Sequence, residues 1–213
     1  MTEEPDRPHY REPRQARSAA TLARVLAAAE ELASSGGLEE LTINGVAARA
    51  GVSVGSVYRR FEGKEQLVAA LTERMLRQRE EYVAERLGAA EPSLSGVLDA
   101  YTDALLRSFD ASRSLFRDLS RVREAGGALD RGERTIAEIH LLLLEAAGPY
   151  TAEIRRFDAR AALDTVARAL LGACFHDSLR PDRPADEAAR SHYAEELSDM
   201  ALAYLTSPDR RRA

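Results

Sequence analysis

The sequence has one cysteine, Cys174, and no tryptophan. A single thiol excludes a disulfide framework and any zinc site built from several thiolates. Long apolar runs are also missing. Stretches such as Leu141 to Leu144 fall far short of the roughly 20 residues a bilayer span requires, so no membrane helix is expected. The opening residues, MTEEPDRPHYREPR, are charged and lack the apolar segment of a secretory signal. The cytosol is the natural compartment. Val and Ile rarely alternate with polar residues, so no segment reads as a strand. The four histidines, at 9, 140, 176 and 192, show no metal-ligand spacing, and His176-Asp177 has no nucleophile beside it. There is no G-x-S-x-G, P-loop, dinucleotide-binding glycine pattern or H-E-x-x-H. Neither an enzyme nor a bound metal or cofactor is expected.

A basic excess is lacking as well, since the net charge is -5. The charge is unevenly spread, however. Arg7, Arg11, Arg14, Arg17 and Arg24 face only Glu12 in residues 7–24, and Arg49, Arg59, Arg60 and Lys64 face only Glu62 in residues 45–64. Phosphate attraction is screened over roughly 8 Å at physiological salt, so local rather than total charge decides whether DNA is attracted. The competing reading is two solvated arginine-rich faces.

What the chain does have is Ala, Leu and helical periodicity. Its 213 residues suffice for one or two domains with a real core. Leu22, Val25, Leu26, Ala29, Leu32 and Ala33 form a stripe ended by Gly36-Gly37. Thr42 is positioned to cap a short helix over Ile43 to Ala50, stopped by Gly51. A second short helix fits Val54 to Phe61, and a long one Lys64 to Leu87, with Leu67, Leu71, Met75 and Tyr82 on one side. Further helices are predicted over Leu94 to Phe109, after Ser112 (with Leu115, Phe116, Leu119 and Val122), over Leu129 to Ala147, from Asp158 to Leu179, and from Asp186 to Thr206. The expected fold is all-α: about nine helices, with short ones first and an antiparallel bundle after them.

The segment TINGVAARAGVSVGSVYRRFEGKEQL, residues 42–67, carries the information. Ala47 and Ala50 allow close packing, Gly51 supplies a turn, and Val46, Val52 and Val57 are spaced to wedge two helices together. This is the helix-turn-helix pattern, whose second helix lies in the major groove. Of that second helix, Gly55, Ser56, Arg59 and Arg60 are left facing outward, and they are small or basic.

At these residues the sequence resembles the TetR family of bacterial transcriptional regulators. The likeness rests on Ala47-Ala48-Arg49-Ala50-Gly51-Val52-Ser53, then Tyr58, Phe61 and Lys64-Glu65-x-Leu67, and covers about residues 18–68. It departs at Asn44-Gly45, where the family usually has a non-glycine pair. Gly45 is expected to weaken its helix by about 1 kcal/mol. The resemblance implies a DNA-binding domain over 1–65 and a dimerising, ligand-sensing domain over 66–213. It implies DNA contacts from Thr42, Ser53, Gly55, Ser56 and Tyr58, a guanine-reading role for Arg59, phosphate binding by Lys64, and backbone or minor-groove contacts from Arg14 and Arg17. Arg60 reads instead as an ion pair with Glu62 or Glu65, and core packing is the alternative for Tyr58.

The resemblance further implies a homodimer through the last two helices. Their stripes supply Leu163, Val166, Leu170 and Leu171, then Leu197, Met200 and Tyr204. Leu170 and Leu197 are the expected centre of that seam, where a Glu substitution is predicted to yield monomers. The alternative is that both stripes face their own bundle. A small, largely hydrophobic or aromatic ligand is expected among the middle helices. Stripe position selects Tyr82, Tyr101, Phe109, Phe116, His140 and Phe175 as its lining, with His140 as its polar partner. The function so predicted is a ligand-released repressor binding a palindromic double-stranded operator. The alternatives are an activator, a redox sensor using Cys174, or an enzyme with an appended helix-turn-helix.

Overall fold

The computed structural model describes residues 16–111, 126–180 and 186–209. These form eight α-helices and one 3-10 segment, with no strand among the described residues. The helices are α1 (Ala16–Glu40), α2 (Ile43–Ala50), α3 (Val54–Tyr58), α4 (Lys64–Gly88), α5 (Leu94–Ala111), α6 (Gly126–Ala147), α7 (Ala159–Leu179) and α8 (Glu187–Thr206). The 3-10 turn, Gly148–Glu153, follows α6 with Pro149 in its first turn. The helix predicted after Ser112, with Phe116, lies outside the described residues.

Two compact units divide the described residues. One holds those up to Leu76, together with α6 as far as Arg131; the other holds Arg77 to the end of α5 and everything from Gly132. The boundary between these units falls inside α4 at Leu76. Leu67, Ala70, Leu71 and Met75 are buried in the first unit's core, whereas Val83 and Leu87 belong to the second. A helix that serves two cores leaves no compositional break for a reader to find.

In the first unit, α1 runs past Gly36, and its break is at Gly37, whose φ of 72° departs from helical geometry. Leu22, Val25, Leu26, Ala29 and Ala33 are buried as the stripe predicts, while Leu32 only packs against the edge. In the second unit, α5 packs on α7 and α8. It buries Leu94, Leu98, Tyr101, Leu105 and Phe109. The helix α7 is capped by Asp158, which accepts from the Ala161 N–H, and α8 by Asp186, which accepts from the Ala189 N–H.

Several sequence-based placements are corrected here. Leu163, Val166, Leu170 and Leu197 lie in the protomer's own core, with Leu170 only 1% exposed, and Leu171 packs against it. The strongest apolar stripes therefore serve the bundle itself, as the alternative reading had it. Of the residues expected at the seam, only Met200 (56%) and Tyr204 (36%) stay exposed. In α6 the inward stripe is Thr135, Ile139, Leu143 and Ala147, whereas Ile136 is exposed. His140 therefore does not face the core. Its Nε2 lies 2.9 Å from Asp164 Oδ1 on α7, in a surface groove with Leu141, Leu144 and Arg160. Phe175 is likewise partly exposed, meeting Phe109 edge-to-face with centroids 5.7 Å apart.

Candidate nucleic-acid interface

The helix-turn-helix is built by caps. Thr42 is extended (φ -117°, ψ 149°), and its Oγ1 accepts from the Gly45 N–H at 3.0 Å. A Cβ at position 45 would stand 2.9 Å from that oxygen, so the glycine that weakens the helix also makes room for its cap. At the other end Gly51 is left-handed (φ 64°, ψ 40°), a conformation that a Cβ disfavours. The Val52 N–H donates back to the Ala47 carbonyl at 3.0 Å and closes the turn. Ser53 then caps α3, accepting from the Ser56 N–H at 3.2 Å.

The second helix is shorter than read. It ends at Tyr58, with Arg59 as its C-cap, and Phe61 lies beyond it, fully buried. The Phe61 N–H still donates to the Val57 carbonyl at 3.0 Å, so one more hydrogen-bonded turn leads the ring into the core. Val57 and Phe61 anchor α3 from below. This leaves Ser53, Val54, Gly55, Tyr58 and Arg59 exposed and Ser56 half-buried. Tyr58 is 55% exposed, so core packing does not account for it. Among the described residues, nothing outside the local backbone lies within 4 Å of a Cβ built on Gly55.

The basic groups are not equally available. Arg59 Nη2 donates to Ser56 Oγ at 2.8 Å on the exposed face. Arg60 Nη2 donates instead to the Ser18 carbonyl and hydroxyl oxygens, each at 2.6 Å. It ties α3 to α1 and replaces the ion pair expected with Glu62 or Glu65. Arg49 pairs with Glu31 at 2.5 Å, which takes one cation out of the predicted patch. Lys64, at the start of α4, donates to the Leu38 carbonyl at 2.5 Å and keeps two further N–H donors. Thr42 and Arg24 are exposed. Arg14 and the side chain of Arg17 lie outside the described residues.

Residues 25–71 match the family model described as bacterial regulatory proteins, tetR family. The matched stretch, from within α1 to within α4, is similar to the helix-turn-helix unit of the TetR family of bacterial regulatory proteins. Among solved structures, a TetR-family transcriptional regulator from Streptomyces coelicolor is 28% identical, with a TM-score of 0.58, and the match covers 87% of this chain and 99% of that one. A transcriptional regulator from Rhodococcus is 20% identical at a TM-score of 0.65, covering 88% and 98%. GusR of Salmonella enterica is 21% identical at 0.65, covering 88% and 96%. No curated protein matches the chain.

Sequence reasoning missed one residue of the second unit. Arg79 is buried on α4, its guanidinium 4.3 Å from the centroid of the Phe109 ring. Its Nη2 donates to the Ser108 carbonyl at 3.3 Å. Burial lowers its pKa to about 10, so it remains cationic at neutral pH. The signal was present in the sequence, because Arg79 is four residues from Met75 and four from Val83, on the inward side of α4. Tyr101, one of the expected lining residues, is fully buried, and its hydroxyl has no hydrogen-bond partner among the described residues. Burial, then the neighbouring Cys174, pushes that phenol well above its ordinary range. Tyr82 packs against the same core partly buried.

Proposed function

We propose that the chain is a cytoplasmic, homodimeric repressor that reads a two-fold symmetric operator through α3 and leaves it when a small molecule enters the second unit. The observation that carries this reading is the outer face of α3. Gly55, Tyr58 and Arg59 stand exposed over a helix pinned from beneath by Val57 and Phe61. A glycine inside a helix costs about 0.5–1 kcal/mol relative to alanine, and the space above Gly55 is open. Packing within the protein does not call for it, whereas a DNA backbone or base edge pressed against α3 does. Arg59 is the base reader, Thr42, Ser53 and Tyr58 contact phosphates, and the remaining Lys64 donors, with Arg14 and Arg17, add phosphate attraction.

Gly55→Ala separates folding from binding. It is expected to raise thermal stability by about 0.5–1 kcal/mol while weakening operator binding, read by melting and by fluorescence anisotropy on a labelled duplex. Unchanged operator affinity counts against close approach at this position.

Residues 1–65 supply the DNA contacts and 66–213 the dimer and the sensor. The second copy docks on the outer face of α7 and α8, where Ala161, Thr165, Ala169 and Gly172 are exposed beside Met200 and Tyr204. Two-fold pairing is what a helix-turn-helix protein needs to match a palindrome. The ligand is a mostly apolar molecule with a polar end, met by the Tyr101 hydroxyl. The cation of Arg79 beside Phe109 favours an acceptor-bearing end. Binding acts on DNA only through its different affinities for the two conformers.

An unpartnered buried hydroxyl costs about 1–3 kcal/mol. Tyr101→Phe is therefore expected to hold or raise the melting temperature. It is also expected to abolish the melting shift that a panel of aromatic and aliphatic carboxylates and phenols induces in the wild-type protein. An unaltered set of shifts removes Tyr101 from the sensor.

A further inference from the structure

Three side chains of the helix-turn-helix form a chain spaced at i, i+3 and i+6. Ser53 Oγ accepts from the Ser56 N–H at 3.2 Å and shares a hydrogen bond with Ser56 Oγ at 2.8 Å. Arg59 Nη2 in turn donates to Ser56 Oγ at 2.8 Å. Arginine has only donors, so the Ser56 oxygen is the acceptor in that last contact. Ser56 is half-buried between its two partners, while Ser53 and Arg59 are exposed. The Arg59 backbone is fixed as well, since its N–H donates to the Gly55 carbonyl at 3.1 Å.

We infer that Ser56 is a positioning residue for Arg59 rather than a DNA contact in its own right, and that it sets specificity by holding the guanidinium in place before the operator arrives. The inference rests on the reading of Arg59 as the base reader. A free arginine samples many rotamers, and ordering them on binding opposes association. Here the Ser56 oxygen engages one N–H of Nη2 and leaves the other guanidinium donors for a bidentate contact with guanine O6 and N7. The Ser53 cap fixes the Ser56 backbone, so the rigidity of the turn at Gly51 and Ser53 reaches the base-reading group through two hydroxyls. A hydroxyl that contacted the operator itself would be read at its own base pair, and its effect would add to that of Arg59.

The test begins with duplexes that the full-length wild-type protein selects from a random pool. Affinities for each single base-pair variant of the selected site are then measured for the wild type, Ser56→Ala, Ser56→Thr, Arg59→Ala and the Ser56→Ala/Arg59→Ala double variant. Ser56→Ala is expected to lose roughly 2- to 10-fold in discrimination, the worth of one hydrogen bond, at the same base pair where Arg59→Ala loses it. Ser56→Thr, which keeps the hydroxyl, restores discrimination, and Ser56→Ala adds nothing in the Arg59→Ala background. Losses at a different base pair, additive losses in the double variant, or a failure of Ser56→Thr to restore discrimination overturns the positioning role while leaving the DNA reading intact. A pool that yields no enriched sequence overturns the DNA reading and this inference together.

Discussion

Replacing Leu170 with Glu will unfold the helical bundle rather than release folded monomers. Leu170 is buried in the protomer's own core on α7, with Leu163, Val166 and Cys174 on the same side. A carboxylate there has no partner among those apolar neighbours. Burying an unpaired charge costs several kcal/mol even after relaxation, a large share of the about 5–15 kcal/mol that stabilises a typical domain. Met200→Glu is the contrasting case. Met200 is exposed on α8, so a carboxylate costs the protomer little, yet in the proposed dimer it would place two like charges near the two-fold seam. Circular dichroism melting with sedimentation velocity distinguishes the two sites. The Leu170→Glu variant is expected to lose its cooperative melt, and Met200→Glu to keep it while sedimenting as a monomer. A folded, monomeric Leu170→Glu protein would return Leu170 to the seam.

Arg59→Ala is expected to cost about 1–3 kcal/mol at one base pair of each half-site and almost nothing on random DNA, as loss of a bidentate guanine contact predicts. The fold does not depend on this side chain, whose contact is with Ser56 on the exposed surface. The loss therefore reports recognition and not stability. Arg60 provides the internal control. Its guanidinium is spent on Ser18 of α1, so Arg60→Ala is expected to loosen α3 and weaken binding to every sequence alike. Equal losses on selected and random duplexes for Arg59→Ala remove it as the base reader.

The elements of the fold were legible because their ends are chemically marked. Thr42, Ser53, Asp158 and Asp186 cap helices where the sequence places oxygen-bearing side chains before apolar stripes, and Gly51 takes the left-handed turn assigned to it. The facing of the helices was less legible. In α6 the run Ile139 to Leu144 is apolar at almost every position, so the period that would separate the Ile139 face from the His140 face is erased. In α7 and α8 the bundle's own core claims the most apolar stripe and leaves Met200 and Tyr204 outside, and apolarity alone does not tell a protomer's core from a seam. Arg49 and Arg60 show the same limit for charge. A window count of cations cannot see that Glu31 and Ser18 occupy two of them.

The central claim is that α3 reads a specific DNA sequence on an electrostatic footing. The most direct measurement is wild-type binding to the selected duplex and to a shuffled duplex of the same composition across a salt series. The account predicts that log affinity falls linearly with log salt on both, with a slope of roughly -0.9 per phosphate contacted. It further predicts that the selected duplex stays at least about 10³-fold tighter at physiological salt. Equal affinity for the two duplexes, or an affinity that does not respond to salt, would contradict it.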